Sequence, residues 1–423
     1  MHIPIPRAEQ NKMMQYDVTI IGGGAAGLTA ALSASEEGAR AAVLEAAPRI
    51  GRKILASGNG RCNLCNMGAP RYYGGQKLAE AVLAQCPVSR VLDFFHQIGL
   101  VTVEEAGGRV YPACGQAAAV LDTLRRALDE RAVPVICDAP AKAIARQGRT
   151  FAVETPQGVF AAPRVILCCG GIAGGKLGHD GSAYALLTGL GHHLVPPRPA
   201  LTQLATEKSA VKGLSGLRLP ARLTLCDGEM PVSAAQGEVL FADYGVSGVC
   251  AMQLSQDADA LLRAGKKPML YIDFSPMLGL VPRIYDRVAP EDPLQNLSRM
   301  EAFLRQRAHM LGQEGLLCGL APRLLAQRLE GLRPDALARR LCAFPCPIIG
   351  VRGFENAQVT AGGLAAGEFI PETLASRRIP GLYAAGEMLD VDGDCGGYNL
   401  QFAFASGILA GRAAGRSAEK GRE

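Results

Sequence analysis

The chain has 423 residues, of which 48% are hydrophobic and 20% are charged, and its formal net charge at pH 7 is +5. This length exceeds what one hydrophobic core usually supports, so two or three domains are predicted. The basic residues are dispersed, without a Lys/Arg-rich run among aromatic residues, which argues against nucleic acid as a partner.

Residues 1–15 are polar and are predicted to form a flexible N-terminal extension, because they contain no apolar signal-peptide segment. No run of about 18 uncharged apolar residues occurs, so no membrane partner is expected and a cytoplasmic location is predicted. The chain has thirteen cysteines, and because this number is odd and no export signal is evident, a disulfide framework is not expected. Cys62 and Cys65 leave open a redox pair or half of a zinc site, but cysteines lining a cofactor loop are favoured, and no metal site is predicted.

A β-branched run at Val18–Ile21 ends at glycines with G-x-G-x-x-G spacing, and a helix-like segment follows at Leu28–Glu37. Gly22 permits a tight strand-to-helix turn, Gly24 lets the backbone approach a pyrophosphate, and Gly27 permits close packing of helix on strand. The helix N-terminus presents free N–H groups to phosphates. The pattern predicts dinucleotide binding, and the alternative is a glycine-rich turn without a ligand.

A second apolar run, Ala41–Leu44, ends on Glu45, at about the spacing of the acid that binds ribose hydroxyls in such folds. The next segment, 46–70, is predicted to be a long and therefore functional loop. The further elements predicted up to residue 171 are helices at 78–98 and 117–128, a strand at 133–137, a hairpin of 151–154 and 158–161, and a buried strand at 164–171. This alternation indicates a mostly parallel sheet that is covered on both faces.

The pattern changes near residue 196. Short apolar runs between residues 201 and 274 predict a small antiparallel β unit, and residues 283–340 carry Leu, Arg, Glu and Gln at helical spacing. Strands and glycines return from residue 354. The predicted domains are a nucleotide-binding domain of residues 16–195 and 354–423, an inserted β domain of 196–282 and 341–353, and a helical subdomain of 283–340.

Three separated strands end in glycine, at residues 18–24, 165–171 and 382–386. This trio resembles flavoproteins of the glutathione-reductase structural class, in which the last strand ends in Gly-Asp or Gly-Glu and the acid holds the ribityl chain. Gly386-Glu387 matches that ending. The resemblance implies an α/β fold with a glutathione-reductase-type FAD-binding Rossmann domain, split in sequence by a small β-barrel-like unit and a helical unit.

Four longer segments, 51–63, 237–248, 359–363 and 385–401, give a closer resemblance. Together they are similar to the bacterial family of NAD(P)/FAD-dependent oxidoreductases described as YhiN-like, BaiN-like or aminoacetone-oxidase-like, and the similarity extends over residues 16–414. The family usually reads Gly-Arg-Cys-Asn-x-Thr-Asn, whereas Cys65 stands here in place of the threonine. This departure makes the C-x-x-C spacing look incidental.

The resemblance implies an FAD site residue by residue. The glycine turn would hold the pyrophosphate, Glu45 would bind the adenosine ribose, and the basic loop after Gly51 would wrap the diphosphate, with solvated loop charges as the alternative. The residues implied to contact FAD are Gly22, Gly24, Ala26, Gly27, Glu45, Arg52, Lys53, Ser57, Gly58, Asn59, Gly60, Arg61, Asn63, Val135, Gly170, Gly386, Glu387, Gly397, Tyr398, Asn399 and Leu400.

Gly396–Gln401 precedes an apolar helix at Phe402–Ala414, and in this fold class that helix N-terminus faces the flavin pyrimidine ring and stabilises negative charge there. Asn399 is alternatively a helix N-cap. Tyr398 and Asp392 are the candidate catalytic residues, and Tyr398 would protonate a substrate carbon or polarise a carbonyl. The alternatives are aromatic packing for Tyr398 and a turn position for Asp392.

One G-x-G-x-x-G is present, so no separate nicotinamide domain is evident, and NAD or NADP is expected only as a transient electron donor. The function favoured by the resemblance is NAD(P)H-linked reduction of a conjugated C=C bond in an enone-type, bile-acid-like small molecule. The alternative is an oxygen-using oxidase of a small amine such as aminoacetone. A third is a non-catalytic flavin-binding or tRNA-associated protein.

Overall fold

The computed structural model describes residues 13–69, 71–178, 180–284, 286–312 and 315–419. The chain forms two compact units. The first contains the residues up to Arg198 and from Val359 onward, and the second contains Pro199–Gln358. Each unit has a hydrophobic core of its own. The chain passes from the first unit to the second after residue 198 and returns to the first unit after residue 358. The domain boundaries predicted from the sequence fall after residues 195 and 353.

The strands of the described residues follow the chain in this order: β1 (Met13–Gln15), β2 (Val18–Ile21), β3 (Ala41–Leu44), β4 (Cys65–Asn66), β5 (Tyr72–Gly74), β6 (Thr102–Glu105), β7 (Arg109–Pro112), β8 (Val135–Ile136), β9 (Ala143–Gln147), β10 (Thr150–Thr155), β11 (Gly158–Ala162), β12 (Arg164–Leu167), β13 (Leu194–Ala200), β14 (Leu204–Thr206), β15 (Arg218–Asp227), β16 (Met230–Ala242), β17 (Gly245–Ser247), β18 (Pro268–Asp273), β19 (Asp286–Val288), β20 (Phe344–Val351), β21 (Val359–Leu364), β22 (Leu382–Ala384) and β23 (Val391–Gly393).

The helices are α1 (Ala25–Glu36), α2 (Arg52–Ala56), α3 (Gln76–Gln85), α4 (Val88–Gln97), α5 (Ala117–Glu130), α6 (Ser182–Gly189), α7 (Lys208–Val211), α8 (Val249–Gln253), α9 (Ser255–Arg263), α10 (Leu297–Leu311), α11 (Arg323–Arg328), α12 (Pro334–Cys342) and α13 (Tyr398–Glu419). Among the residues described, no helix combines the length and the apolar character needed to cross a bilayer.

A parallel sheet of five strands forms the centre of the first unit, in the order β22-β12-β2-β3-β8. The three glycine-ended strands predicted from the sequence are therefore neighbours, with Ile166 of β12 opposite Ile20 of β2 and Tyr383 of β22. All four residues of β2 and all four of β3 are buried, as expected for a parallel strand covered on both faces. The predicted Rossmann-type fold is confirmed.

The helices α1 and α13 pack against each other at close range. A Cβ atom on Gly407 would lie 2.3 Å from the carbonyl oxygen of Ala26, and one on Gly411 would lie 2.2 Å from that of Ala30. Neither distance is possible without movement of the α1 backbone. Glycines on α13 therefore allow the last helix of the unit to contact the helix that follows the first glycine turn.

The second unit contains a closed antiparallel barrel of six strands, in the order β15-β18-β20-β14-β17-β16, with β15 and β16 pairing to close it. The strand β19 pairs in antiparallel with residues 234–236 of β16. Helices α10, α11 and α12 bury Leu304, Leu325 and Leu337 in the same core as the barrel. The predicted β unit and helical unit are both present.

Three local predictions are corrected by the structure. The predicted helix at 78–98 is two helices, α3 and α4, because Pro87 stands between them and has no N–H to donate. The predicted loop at 46–70 contains α2, a 3-10 turn at Ser57–Gly60 and β4. The last helix begins at Tyr398, not at Phe402, so the predicted flavin-facing motif forms its first turn.

The predicted flexible extension is wrong for residues 13–15. These residues form β1, which pairs in parallel with β11, and the N–H of Tyr16 donates to the carbonyl oxygen of Ala161 at 3.0 Å. The tyrosine ring also stacks on Phe160. Residues 1–12 lie outside the described part of the chain.

The carboxylate of Glu368 joins the segment after β21 to the two histidines before β13. Glu368 lies 2.7 Å from Nδ1 of His192 and 2.5 Å from Nδ1 of His193, and it accepts a hydrogen bond from Nε of Arg378 at 2.7 Å. Nε2 of His192 lies 3.1 Å from the Ser376 hydroxyl. Burial alone would raise the pKa of the Glu368 carboxyl, but these hydrogen bonds lower that pKa to about 2.

Candidate functional site

The glycine turn between β2 and α1 has the geometry of a phosphate cradle. Gly22 has φ +110°, and a Cβ there would lie 2.3 Å from the carbonyl oxygen of Cys168. A Cβ on Gly27 would lie 1.8 Å from the carbonyl oxygen of Gly22, so the helix start packs directly on the turn. Apart from its chain neighbours, no atom of the described residues lies within 4 Å of the Cβ position of Gly24. The backbone at the N-terminus of α1 therefore borders open space, which is the arrangement that Rossmann-type folds use for a pyrophosphate.

Glu45 is held beside this turn. Its carboxylate accepts hydrogen bonds from the N–H groups of Gly23 at 2.7 Å and Ala47 at 2.8 Å. An ionised carboxylate has about four acceptor positions, so two remain for ribose hydroxyls. Val135 lies on β8, the neighbour of β3. An open depression of about 310 Å³ is lined by Val135 and Ile50.

Lys53 and Glu387 form an ion pair across 334 residues of sequence, with Nζ 2.7 Å from Oε2. The other carboxylate oxygen, Oε1, accepts a hydrogen bond from the N–H of Thr360 at 3.0 Å. The side chains are 31% and 19% exposed, so the pair is partly shielded from water. The structure thus brings together a residue predicted for the diphosphate and one predicted for the ribityl chain.

Two predicted glycines border this ion pair and the helices around it. Gly170 has φ +75°, and its Cβ position lies 3.9 Å from Oε2 of Glu387. Gly386 donates its N–H to the Ser406 hydroxyl at 3.0 Å, and a Cβ there would lie 2.9 Å from Cβ of Ala26. Ala26 is 6% exposed, so it packs in the core while its helix turn borders the cradle.

The remaining cations of the predicted diphosphate loop contact protein groups. The Arg61 guanidinium pairs with Glu105, with Nη1 3.1 Å from Oε2, and lies 4.1 Å from the centroid of the Tyr111 ring. The Arg52 guanidinium donates to the carbonyl oxygen of Lys176. The Arg61 charge is neutralised by Glu105, whereas Arg52 uses one nitrogen of its guanidinium and keeps further N–H donors for a phosphate.

Between these cations, a 3-10 turn carries four predicted FAD residues, Ser57, Gly58, Asn59 and Gly60. The Ser57 hydroxyl donates to the carbonyl oxygen of Ile54 at 2.7 Å. Gly58 and Asn59 have φ values of +55° and +54°, so two successive left-handed residues expose the backbone of the turn. No residue of the turn is buried, and two of its carbonyl oxygens accept hydrogen bonds from the N–H groups of Arg61 and Cys62.

The segment before β4 contains a buried acceptor without a donor among the described residues, and it lies beside the glycine that precedes α13. Oδ1 of Asn63 is inaccessible to water and has no hydrogen-bond partner among the described residues. A Cβ on Gly397, whose φ is +108°, would lie 2.8 Å from this oxygen. A buried acceptor without a donor is unfavourable. A ligand N–H group beside Gly397 would satisfy it, and the flavin ring system offers such a donor, so the residues present fit FAD.

The two predicted catalytic residues are both buried. Tyr398 is 7% exposed and accepts, through its carbonyl oxygen, a hydrogen bond from the Tyr72 hydroxyl at 2.8 Å. Asp392 is 1% exposed and lies opposite Tyr73 in the β23–β5 pair.

Asn399 and Leu400 follow Tyr398 in the first turn of the helix. The side-chain amide of Asn399 both accepts from the N–H of Gly393 and donates to its carbonyl oxygen, each at 2.8 Å. This amide therefore joins β23 to α13 and is not an N-cap of its own helix. Leu400 is half-buried against the core of the unit.

The cysteines of the C-x-x-C are free thiols without exposed surface. Burial raises the pKa of Cys62 to about 11 and that of Cys65 to about 12. Both groups are therefore protonated at neutral pH and poor nucleophiles or metal ligands. No group of three or more potential metal-ligating side chains occurs in the part of the chain that is described.

Sequence reasoning missed Thr360 as part of the site. Its hydroxyl accepts a hydrogen bond from Ala173 at 2.9 Å, and its own N–H binds Glu387. It thereby links the loop after β12 to the carboxylate beside Lys53. The signal was present in the Val359-Thr-Ala-Gly-Gly segment, which carried the family resemblance without a residue role.

Comparisons with known proteins agree with this geometry. The family described as "HI0933-like protein Rossmann domain" matches residues 16–413. A 3-dehydro-bile acid delta(4,6)-reductase from Clostridium scindens is 38% identical over 94% of this chain and 98% of that protein. A ribosomal RNA dihydrouridine synthase from Escherichia coli is 26% identical over 93% of this chain and 96% of that protein.

Among solved structures, a 3-ketosteroid delta1-dehydrogenase from Sterolibacterium denitrificans in complex with 1,4-androstadiene-3,17-dione has a similar fold. The TM-score is 0.50 at 14% identity, over 95% of this chain and 100% of that chain. On the family match and the full-length relatives, the chain belongs to the HI0933-like family of FAD-dependent oxidoreductases, as its motifs indicate.

Proposed function

We propose that this protein is an NAD(P)H-linked FAD-dependent reductase that saturates a C=C bond conjugated to a ketone in a bile-acid-like steroid. The observation that carries the proposal is the 38% identity, over nearly the full length of both chains, to a reductase of 3-dehydro-bile acids. The rRNA dihydrouridine synthase relative supports the same chemistry, because dihydrouridine is uridine with a saturated C=C bond beside a carbonyl.

FAD supplies hydride transfer when it is bound. We assign its diphosphate to the backbone N–H groups at the N-terminus of α1, and its adenosine ribose to Glu45. Lys53 and Glu387 would bind the diphosphate and ribityl oxygens, and the N-terminal turn of α13 would stabilise negative charge at the pyrimidine edge of the flavin. NADH or NADPH would bind only transiently, since one G-x-G-x-x-G is present.

Reduction of the conjugated bond also needs a proton on the second carbon. Tyr398 and Asp392 stay our candidates for delivering or relaying it. Their burial, 7% and 1% exposed, would keep bulk water away from a proton held there. We propose that the other residues predicted from the sequence to contact FAD also bind it, and that Oδ1 of Asn63 accepts a hydrogen bond from the flavin.

The experiment begins with the absorption spectrum of the purified protein and with its reduction by NADH or NADPH in the absence of oxygen. A 3-oxo-4-ene steroid acid is then added, and mass spectrometry should show a gain of two hydrogens as the flavin is reoxidised. A protein that neither contains nor takes up FAD contradicts the proposal.

The same experiment separates the alternatives. Fast reoxidation by oxygen with peroxide release, after reduction by aminoacetone, would favour the amine oxidase. Turnover of uridine in rRNA, with binding that weakens steeply as salt is raised, would favour an RNA substrate and contradict the expected absence of a nucleic-acid partner.

A further inference from the structure

One buried amide of the first unit connects β4 to the segment before α13. Asn66, which is 4% exposed, donates from Nδ2 to the carbonyl oxygen of Gly396 at 2.9 Å, across 330 residues of sequence. Its Oδ1 accepts a hydrogen bond from the N–H of Gly68 at 2.8 Å. Because one partner is a backbone acceptor and the other is a backbone donor, these contacts determine which end of the amide is nitrogen. The side chain is therefore held in one orientation.

The backbone of the same residue is bonded to α13. The N–H of Asn66 donates to Oε1 of Gln401 at 3.2 Å, and Gln401 is itself 3% exposed. The N–H of Gln401 donates in turn to the carbonyl oxygen of Gly397 at 3.0 Å, which is the bond that begins the helix. Asn66 is thus bonded to residues on both sides of Gly397, to one by its side chain and to the other by its backbone.

The contact with Gly396 orients the peptide group between Gly396 and Gly397. In a trans peptide the carbonyl oxygen and the N–H point in opposite directions, so the N–H of Gly397 is turned away from Asn66. That N–H donates to no acceptor among the described residues. Gly396 is buried, whereas Gly397 is partly exposed. A donor on the carbonyl oxygen also polarises the peptide, so Asn66 both orients this N–H and strengthens it.

A buried acceptor lies beside the same glycine. Oδ1 of Asn63, a residue that is 8% exposed, is 2.8 Å from the Cβ position of Gly397 and has no partner within the described ranges. The first N–H groups of a helix likewise have no partner inside the helix. The pyrimidine ring of a flavin presents carbonyl oxygens next to an N–H group, so it offers acceptors and a donor that match these protein groups.

We propose that Asn66 is a positioning residue that raises the reduction potential of the bound flavin. This inference rests on the part of the proposed function that places the flavin pyrimidine ring at the N-terminus of α13. Transfer of a hydride, which is two electrons and one proton, from NADH or NADPH leaves one negative charge on that ring. The N–H of Gly397, which Asn66 orients, stabilises this charge and so favours the reduced flavin. Asn66 acts through the peptide and does not itself touch FAD.

The test measures the midpoint reduction potential of the flavin in two variants of the holoenzyme. Asn66→Ser keeps an oxygen for the Gly68 N–H, as serine does in such turns, but its side chain is too short to reach Gly396. The ratio of reduced to oxidised flavin at a given potential should fall roughly 10-fold, the effect expected for one weakened hydrogen bond to a charged group. For a two-electron couple this change corresponds to a potential lower by about 30 mV.

Asn66→Asp gives a second readout that a purely structural role would not change. Its ionised carboxylate cannot donate to Gly396, whereas the protonated carboxyl can, and burial raises its pKa above the ordinary value of about 4. The potential should therefore be lower than in wild type at about pH 8, and the difference should shrink toward about pH 5. Arg109, Cys65 and Tyr398 lie near this position in both proteins, so their own titration cancels in the difference.

The matched control is Gln147→Glu, which adds the same charge at an exposed position of β9 in the same unit and should leave the potential unchanged. Thermal unfolding of each variant checks that it is folded, and if one variant does not fold, the other decides. A wild-type potential in Asn66→Ser, or a deficit in Asn66→Asp that does not change with pH, overturns the proposal. Loss of folding in both variants would assign Asn66 to stability alone.

The measurement uses no steroid, so the two proposals fail separately. A shifted potential without steroid turnover would retain the role of Asn66 and reject the proposed reaction. Steroid reduction by a protein whose potential does not depend on Asn66 would reject only the positioning role. A protein that does not take up FAD rejects both.

Discussion

At the scale of single residues, the proposed FAD site depends on contacts between side chains that are far apart in sequence. The ion pair of Lys53 and Glu387 joins α2 to the end of β22, and Thr360 holds the same carboxylate from β21. Because Glu387 already holds the Lys53 ammonium in place, little side-chain freedom of Lys53 would be lost when FAD binds.

Replacement of Lys53 by methionine should weaken FAD binding about 10-fold or more, because it removes a charge-assisted contact and leaves Glu387 without its cation. The measurement is the fluorescence of FAD released on dilution of the holoenzyme. Lys77→Met, at an exposed position of α3 in the same unit, is the control and should retain FAD. Equal retention by both variants would exclude Lys53 from the cofactor site.

Replacement of Tyr398 by phenylalanine tests whether its hydroxyl delivers the proton. Flavin reduction by NAD(P)H should keep its rate, whereas reoxidation by the steroid should slow by roughly 100-fold, the usual contribution of a general acid. Tyr72→Phe is the matched control, since it also removes a buried hydroxyl in contact with the same turn. Unchanged reoxidation in Tyr398→Phe would assign the ring to packing.

Glu368 predicts how stability depends on pH. Its pKa is lowered to about 2 from the ordinary value of 4.5, so the ionised form is favoured by the fold. The stabilisation is complete above pH 4.5 and is lost as the pH falls from there toward 2. Glu368→Gln should therefore unfold at lower urea than wild type at pH 7, and the difference should shrink below pH 4.5. A difference that is constant with pH would contradict this account.

At the scale of elements, the packing of α1 on α13 determines the position of two helix N-termini, one at the proposed diphosphate site and one at the proposed flavin edge. Both helices begin directly after glycines, at Gly24 and Gly397. The distance between those ends depends on how closely the helices approach, and that approach depends on glycines farther along α13.

Gly411→Ala should lower the free energy of unfolding by about 1–3 kcal/mol, because its Cβ would overlap the Ala30 carbonyl and force the helices apart. Urea unfolding gives the value. Gly189→Ala, in α6 of the same unit, is the control. Outside the backbone of its own helix, no atom in the described part of the chain lies within 4 Å of that Cβ position, so alanine should be neutral or stabilising. Equal stability of both variants would show that the helices adjust without cost.

At the scale of the whole molecule, the sequence predicted the split Rossmann domain because each glycine-ended strand has a local signature, and parallel strands with such endings assemble side by side. Pro87 also indicates a break between two helices, but the apolar periodicity of residues 78–98 favoured a single helix in the sequence prediction. The contact of Lys53 with Glu387 and that of Asn66 with Gly396 have no local signature, since both arise only when distant segments fold together.

The first unit is built from two separate segments of the chain, so it can complete its fold only after the second unit has been synthesised. β2 and α1 emerge from the ribosome before the second unit, whereas their neighbours β22 and α13 emerge after it. The second unit, residues 199–358, is continuous and has its own core, so it can fold while the first unit waits for its final strand and helix. Capture of FAD should therefore be one of the latest events in the maturation of this protein, and nascent chains that end before residue 382 should not retain it.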